Sequence, residues 1–510
     1  MRMNGANTHR HIRRIFNAGC VLALTLAVFA RPCAGQTAGT SVTNSDLAQR
    51  MQKLTDAMAR TQAQLQESQR ELQEMRREMA DLLRELQPGV AVPDSAQAAN
   101  EQSTSSLSAA VDDLRERQQV AESQIATHEQ AKVETASKYP LRLHGLVLFN
   151  SFVNTGRVDD PVTPAFAIGG AGSTGGSMRQ TILGIDAAGP HIAGAQSYAD
   201  LDMDFDAGAA SSYAVSLARL RTAHAGLHWT NTDAWFALDR SLLSPLLPSS
   251  LTSVAQPALS WSGNLWTWNP QLGATHRFAL NESNEMRVQA AFIDAGDVPY
   301  STSNSSAPAF LTPSTAEQSR WPGVEARVAW VAQDRDDTGN QLGISGYVAP
   351  HLVQWYRYDA WAASADGRLH LPRGLELSGS AYRGLALGGL GGGAYKDYAY
   401  AENPLTGAYY FRPLDNIGGW AQLKEKVSDR LEFNAAFGTD QIVAHQFRYY
   451  ATATNIVQNL VANRTFTGNL IFRPSAWTLI SLEYRHLAST PANGAAAESN
   501  VIGLAAGYSF

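Results

Sequence analysis

Two hydrophobic periods divide this chain. From residue 47 to residue 86 apolar side chains recur at alternating spacings of four and three: Leu47, Met51, Leu54, Met58, Leu65, Leu72, Met75, Met79, Leu82 and Leu86, with Thr61 and Ser68 in the two remaining places. A 3.5-residue repeat of this length predicts a helix whose narrow stripe must be covered by a second helix, a coiled coil. A surface helix on some other domain is the alternative. Pro88 and Pro93 end the run, and a weaker seam follows through Leu107, Val111, Leu114, Ala121 and Ile125, interrupted at Gln118. Leu and Met occupy the seam with no β-branched choice, so the pattern implies an oligomer without setting its order. The first run would span about 60 Å at 1.5 Å per residue.

Beyond Tyr139 the period changes to two. Ile502, Leu504, Ala506, Tyr508 and Phe510 fall on one face of a strand, and Val501, Gly503, Ala505, Gly507 and Ser509 on the other. Large apolar residues opposite small ones suit lipid outside and a packed or wet lumen inside. Leu201, Met203 and Phe205 alternate with Asp200, Asp202, Asp204 and Asp206, and similar alternation covers residues 431–437 and 480–485. A soluble sandwich would show this too, since one sheet face is wet. Loop asymmetry discriminates. Tight connections at Gly189-Pro190, Asn231-Thr232, Asn281 to Asn284, Pro372-Arg373, Ser428-Asp429 and Pro474-Ser475 alternate with long polar ones. The long stretches lie near 154–177, 240–264, 296–321, 385–417, 440–464 and 488–498, with shorter ones near 207–213 and 351–357. The prediction is a transmembrane antiparallel β-barrel of about 16 strands, closed because lipid leaves no open edge unpaired. Trp229, Trp235, Trp266, Trp268, Trp330, Trp361, Trp420, Trp477 and Tyr508 near strand ends are expected to form interfacial girdles.

Composition adds a location. Arg2, Arg10, Arg13 and Arg14 precede an apolar stretch from Gly19 to Ala30 that is too short to span a bilayer, then Cys33, Ala34 and Gly35. That order predicts a signal peptide over 1–35, a periplasmic coiled-coil segment with linker over 36–138, and the barrel over 139–510. Between Gln36 and Lys138 there is no aromatic residue, whereas all 11 Trp lie beyond Tyr139. The 2 cysteines, Cys20 and Cys33, both fall in the signal, so the predicted mature chain has no thiol for disulfides, zinc or cysteine catalysis. A net charge of −6 argues against a nucleic-acid partner.

Motifs for chemistry are missing. His224 and His228 are four apart, a ligand spacing on a helix, but they sit in a strand-like stretch and read as lumen or rim residues. Gly388 to Gly393 is Gly-rich without the Lys-Ser/Thr of a phosphate loop and is expected to be a flexible outer loop. No nucleophile elbow occurs, so no enzyme, cofactor or metal site is predicted. The lumen remains. By strand parity Asp200, Asp202, Asp204, Arg219, Arg221, Arg277, Arg287, Arg327 and Arg485 face inward as pore-lining residues. Fixed charge in a wide pore orients and selects solutes, and Arg suits carboxylate and phosphate through its bidentate fork. Acids and Arg on adjacent strands would equally pair across the sheet. Anion preference and simple pairing both stand.

With coiled coil, barrel and a terminal Phe in place, the chain resembles the DcaP-like outer-membrane porins. The resemblance spans nearly all of the predicted mature layout. In detail it rests on Arg179-Gln180 leading to Gly184 and Gly189-Pro190, the acidic strand through Asp206, and Gly507 to Phe510. It implies a homotrimer in the cell outer membrane that passes small solutes, dicarboxylates among them, with its N-terminal segment in the periplasm. Phosphate-selective porins share much of this layout. Tyr508 and Phe510 resemble the signal read by the barrel assembly machinery. The resemblance also implies a loop after strand five, here Arg240 to Asn264 stiffened by Pro245 and Pro248, folded into the lumen as a constriction. The competing function is a structural tether joining the barrel to the periplasm or peptidoglycan through the coiled coil.

Overall fold

A computed structural model describes residues 140–207, 216–296, 313–332, 339–393, 396–402, 405–443, 460–492 and 495–510. The expected signal peptide and coiled coil, with the oligomerisation positions from Leu47 to Leu86, lie outside the described residues. The strands are β1 (Leu141–Val158), β2 (Ala167–Ser177), β3 (Ile182–Ile192), β4 (Ala195–Ala207), β5 (Leu217–His228), β6 (Thr232–Arg240), β7 (Trp268–Asn281), β8 (Asn284–Ile293), β9 (Gly323–Ala332) and β10 (Gln341–Val353). They continue as β11 (Tyr356–Leu371), β12 (Leu375–Leu385), β13 (Tyr398–Glu402), β14 (Tyr409–Pro413), β15 (Asp415–Ser428), β16 (Leu431–Ile442), β17 (Leu460–Phe472), β18 (Thr478–Pro491) and β19 (Ala497–Ser509). Among the described residues a short helix, α1 (Thr315–Ser319), is held by a capping box between Ser314 and Glu317.

Seventeen of these segments form one antiparallel sheet, and β13 and β14 form a separate hairpin. β2 and β3 both pair with the same side of β1, at Asn150–Val158 and Leu141–Leu146, so they are one barrel strand broken at Met178 to Thr181. That makes sixteen barrel strands. β1 closes the cylinder against β19 from Leu146↔Ser509 to Asn154↔Val501, and Gly145 and Phe510 exchange backbone hydrogen bonds of 3.0 and 3.1 Å. Closure leaves no edge where lipid would have to solvate backbone.

Alternation explains which face is which. On β19 the Ile502, Leu504, Tyr508 and Phe510 side chains are exposed while Val501 and Ala505 are buried. The same contrast runs around the cylinder: Leu342, Ile344 and Val348 on β10, or Ile417 and Leu423 on β15, lie outside. An exposed apolar band on a closed barrel is a surface for lipid.

Three expectations are corrected. The turn after β3 falls at Ala193-Gly194, with φ of 50° and 79°, and Gly189-Pro190 lies inside β3. Proline has no N–H for the ladder, and the β3–β4 register slips between Ala188 and His191 to accommodate it. The long stretch expected at 154–177 is mostly strand. Ala167–Ser177 has no apolar rhythm, yet its backbone pairs with β1 regardless of side chain. Gly388 to Gly393 is not an outer flexible loop: Gly388, Gly389 and Leu390 are buried, Thr267 donates to the Gly389 carbonyl at 2.7 Å, and Gly393 N–H reaches Asp440 at 3.2 Å. Glycine here lets backbone pack where a side chain would not fit.

Candidate functional site: the inside of the barrel

Residues 241–267, between β6 and β7, do not stay at the rim. Glu325 on β9 accepts from Ser241 Oγ at 2.5 Å and from Leu242 N–H at 3.0 Å. Ser364 on β11 donates to the Leu243 carbonyl at 3.0 Å. Ser249 N–H donates to Gln422 on β15 at 2.6 Å, and Asn469 on β17 donates to the Ser249 carbonyl at 2.8 Å. Ser250 donates to Glu483 on β18 at 2.6 Å, and Asn150 on β1 donates to the Leu251 carbonyl at 3.2 Å. A single segment can touch strands on opposite sides of a closed barrel only from within. Gln180, at the break between β2 and β3, grips it hardest. Its Nε2 donates to the Thr252 carbonyl at 2.8 Å, and its Oε1 accepts Val254 and Ala255 N–H at 2.6 and 3.0 Å. The segment thus reaches beyond the expected end at Asn264, as far as Thr267. Apolar residues tighten the fit: Leu246 and Leu259 pack on Trp420 and Ala436, and Leu251 packs on Leu148 and Ala505.

The return path is aromatic. Trp261 and Trp266 meet edge-on at 5.5 Å, and Trp266 meets Trp268 at 5.4 Å. The girdle assignment of Trp266 and Trp420 is therefore wrong, because both are buried inside. A strand-end Trp can point either way, and the sequence has no signal for a loop waiting inside to receive it. Trp330, Trp361 and Tyr508 are exposed outward, and Tyr508 stacks on Trp477 at 6.5 Å.

Between Ser241 and Trp268 there is no charged residue. All charge near the narrowing therefore comes from the barrel wall. Asp204 on β4 receives a forked contact from Arg219 at 3.0 and 2.7 Å, and Arg219 also donates to the Ala255 carbonyl at 3.0 Å. Arg327 forks onto Asp366 at 3.0 and 2.6 Å and is 3% exposed. Arg277 pairs with Asp233, Arg287 with Glu285 at 2.8 Å, and Arg485 with Glu483 at 2.5 Å. Arg485 also donates to the Pro164 carbonyl at 2.8 Å and Ser253 Oγ at 2.6 Å. Arg221 is the exception among the six. A bulge sets Asp202 opposite Thr222 and Met203 opposite Leu220, leaving Arg221 as the extra residue. No carboxylate lies within ion-pair distance of it among the described residues. Its guanidinium sits 5.6 Å from the Trp268 ring, beside Arg219 at 5.3 Å from the same ring.

Asp200 and Asp202 keep different company. Asp200 Oδ2 lies 2.6 Å from His224 Nδ1, and His224 Nε2 lies 3.2 Å from Asp239. His144 Nε2 lies 3.3 Å from Asp186 and 3.8 Å from Asp202. His228 bonds Asp233 at 2.5 Å. Parity reading found the acids but missed His144, which stands among leucines and Arg142 at the start of β1. It also missed Gln180 as a clamp, because nothing local marks what a glutamine will reach.

Above the narrowing, residues 159–166 fold over the wall. Asp159 accepts Ala165 and Phe166 N–H at 2.9 and 3.0 Å, and burial pushes its carboxyl up to about 7. Asp294, just past β8, is raised as well, by burial and then by Glu317.

No family model matches the chain, and no curated protein matches it in sequence. Among solved structures it is similar to the outer membrane channel DcaP of Acinetobacter baumannii, with a TM-score of 0.54 and 16% identity over 73% of this chain and 99% of that one. An anion-selective porin from Comamonas acidovorans gives 0.46 and 11% over 73% and 100%. A trimer form of OmpT from Vibrio cholerae gives 0.41 and 9% over 73% and 100%. The DcaP overlay shows a shared sixteen-stranded barrel fold.

Proposed function

We propose that this barrel, built on the fold of the DcaP channel, is an outer-membrane porin for passive diffusion of small hydrophilic solutes, with small anions such as dicarboxylates preferred. The observation that carries the reading is the uncharged segment 241–267 laid across the inside of a closed, lipid-facing barrel. A structural plug would gain by filling the lumen evenly, whereas this segment bonds chiefly to β9, β11, β15 to β18 and β1. On β4 and β5 it leaves Asp200, Asp202 and Arg219 about a third exposed (34%, 34% and 29%). Solute crosses along that wall by diffusion, with no covalent step, and the low-dielectric walls focus the field of the wall charges.

The pore-lining assignment divides into two roles. Asp200, Asp202, Arg219 and Arg221 face the passage; Asp204, Arg277, Arg287, Arg327 and Arg485 brace the wall through their ion pairs. Anion preference is then expected to rest chiefly on Arg221, whose charge no carboxylate neutralises at contact distance, with Arg219 beside it. The fork geometry of guanidinium suits a carboxylate passing along the Trp268 ring. We further propose a homotrimer assembled through the heptad stripe of Leu47 to Leu86, periplasmic placement of that segment, and recognition of Tyr508 and Phe510 by the barrel assembly machinery. Both aromatics are exposed at the end of the closing strand, where they are accessible to such a factor.

The test is reconstitution of the full chain in planar bilayers. Stepwise conductance with an anion-favouring zero-current potential in a KCl gradient is expected at mildly acidic pH. In liposome-swelling assays small dicarboxylates should outpace sugars of equal size. A barrel that never conducts would reject the porin reading and favour the tether.

A further inference from the structure

Three histidines on β1 and β5 hold carboxylates, and two of them touch nothing charged except carboxylates. His224 on β5 holds Asp200 with Nδ1 at 2.6 Å and Asp239 with Nε2 at 3.2 Å. A neutral imidazole donates from one nitrogen only, so both contacts are satisfied only by the doubly protonated ring. His144 on β1 reaches Asp186 at 3.3 Å and Asp202 at 3.8 Å across Gly184, the residue in register between His144 and Asp202. A Cβ at Gly184 would collide with the His144 ring and the Asp202 carboxylate. The glycine is what lets this histidine cross a strand.

The four acids have little other compensation. Asp186 stands directly opposite Asp200 in the β3–β4 register, a like-charge pair that is unfavourable unless cations flank it. Among the described residues, the one fixed cation within ion-pair distance of any of the four is Arg240, 3.9 Å from Asp239. Arg142, in register with Asp186, makes no such contact. Thr222 donates only a long 3.4 Å bond to Asp202, whose other oxygen is buried without a hydrogen bond. Arg219 is committed to Asp204, and Arg221 lies over Trp268. The third histidine differs, because its partner Asp233 also holds Arg277.

Position adds weight. Asp204 is in register with Arg219, which touches the inner segment at Ala255, and Asp202 is two residues along the same strand toward the β3–β4 turn. The His–Asp belt is thus about 7 Å below the narrowing, with side chains 30 to 45% exposed. The segment above it has no charge to mask the belt.

We propose that His144 and His224 set the charge selectivity of the channel, an inference that rests on the porin reading. With both rings protonated, two of the four charges on Asp186, Asp200, Asp202 and Asp239 are offset by imidazolium and a third by Arg240, and Arg221, with no carboxylate at contact distance, keeps its charge for a passing anion. With both rings neutral, four carboxylates face the same water and draw cations. Preference should therefore turn as the rings lose their protons, in a scan carried from about pH 5 to about pH 10, past the range of an unperturbed imidazole.

The experiment measures zero-current potential of the full-length protein in a KCl gradient at low ionic strength, where screening is weakest. Across that pH range the anion-to-cation permeability ratio should fall severalfold as pH rises. The double variant His144→Gln/His224→Gln should stay at the alkaline ratio throughout, and His144→Lys/His224→Lys at the acidic one. A conducting native channel whose ratio is flat with pH overturns the inference and leaves the porin reading standing. So does a glutamine variant that titrates like the native protein. Absence of any conductance overturns both.

Discussion

The two halves of the inner wall handle the same residue types in opposite ways. On β9, β17 and β18 polar groups are covered: Arg327, Glu483, Asn463 and Ser489 are almost fully buried and bonded to neighbouring wall residues, to the inner segment or to residues 159–166. On β4 and β5, Asp200, Asp202, Arg219 and His224 are partly exposed and face one another across strands. What separates them is the inner segment, not composition. It lies against one half, removes that half from water and favours fixed partners for the polar groups there. The other half can leave charges wet, and wet charges can act on a solute.

Several variants would break or sharpen this contrast. The largest effect is expected from Arg327→Met, which strands a buried Asp366 and should cost about 3–5 kcal/mol; adding Asp366→Leu should recover most of it. Arg277→Met on the wetter half should cost on the order of 1 kcal/mol. Denaturant unfolding in detergent measures both, and equal losses would erase the distinction. Next comes Gln180→Ala, which frees three backbone groups of the inner segment. It should destabilise by about 1–3 kcal/mol and raise open-channel noise, since the segment loses its anchor at Thr252 to Ala255. Arg221→Gln should leave stability within about 0.5 kcal/mol while lowering anion preference severalfold; an unchanged zero-current potential would remove Arg221 from the selective wall.

The smallest effect concerns the cover over the buried half. Burial raises the Asp159 carboxyl from 3.8 to about 7, so the folded state favours its protonated form. Its contribution to stability is complete below about pH 4 and is lost as pH rises through 7. Residues 159–166 should accordingly become more open to protease above that pH. Asp159→Asn keeps an acceptor for Ala165 and Phe166 N–H and should make cleavage independent of pH. Persistent pH dependence in that variant would point to a different group.

Much of this was legible in the chain. Alternation such as Leu201-Asp202-Met203-Asp204 dictates a strand with one apolar face, and turn residues at Asn231, Asn281 to Asn284 and Asp429 mark ends. Both are local properties. The excursion was legible as a long polar connection over 240–264 with Pro245 and Pro248, although the resemblance, not periodicity, put it inside. The β13–β14 hairpin within residues 386–414 had no such cue, because Tyr and Phe at its five-residue strands read equally as loop aromatics.

Side-chain partnership was another matter. Parity placed Asp200 and Arg219 on one face but not that His224 would join Asp200 to Asp239, or that Gly184 would let His144 reach Asp202. The sequence by itself determined strands, faces, loop alternation and the number of barrel staves, because backbone pairing and the two-residue period depend on neighbours along the chain. Only the tertiary structure decided which wall is wet, which arginine lacks an acid and which histidines stand between carboxylates. Those outcomes depend on closure of the cylinder and on where one uncharged segment comes to rest inside it, and both join residues hundreds of positions apart.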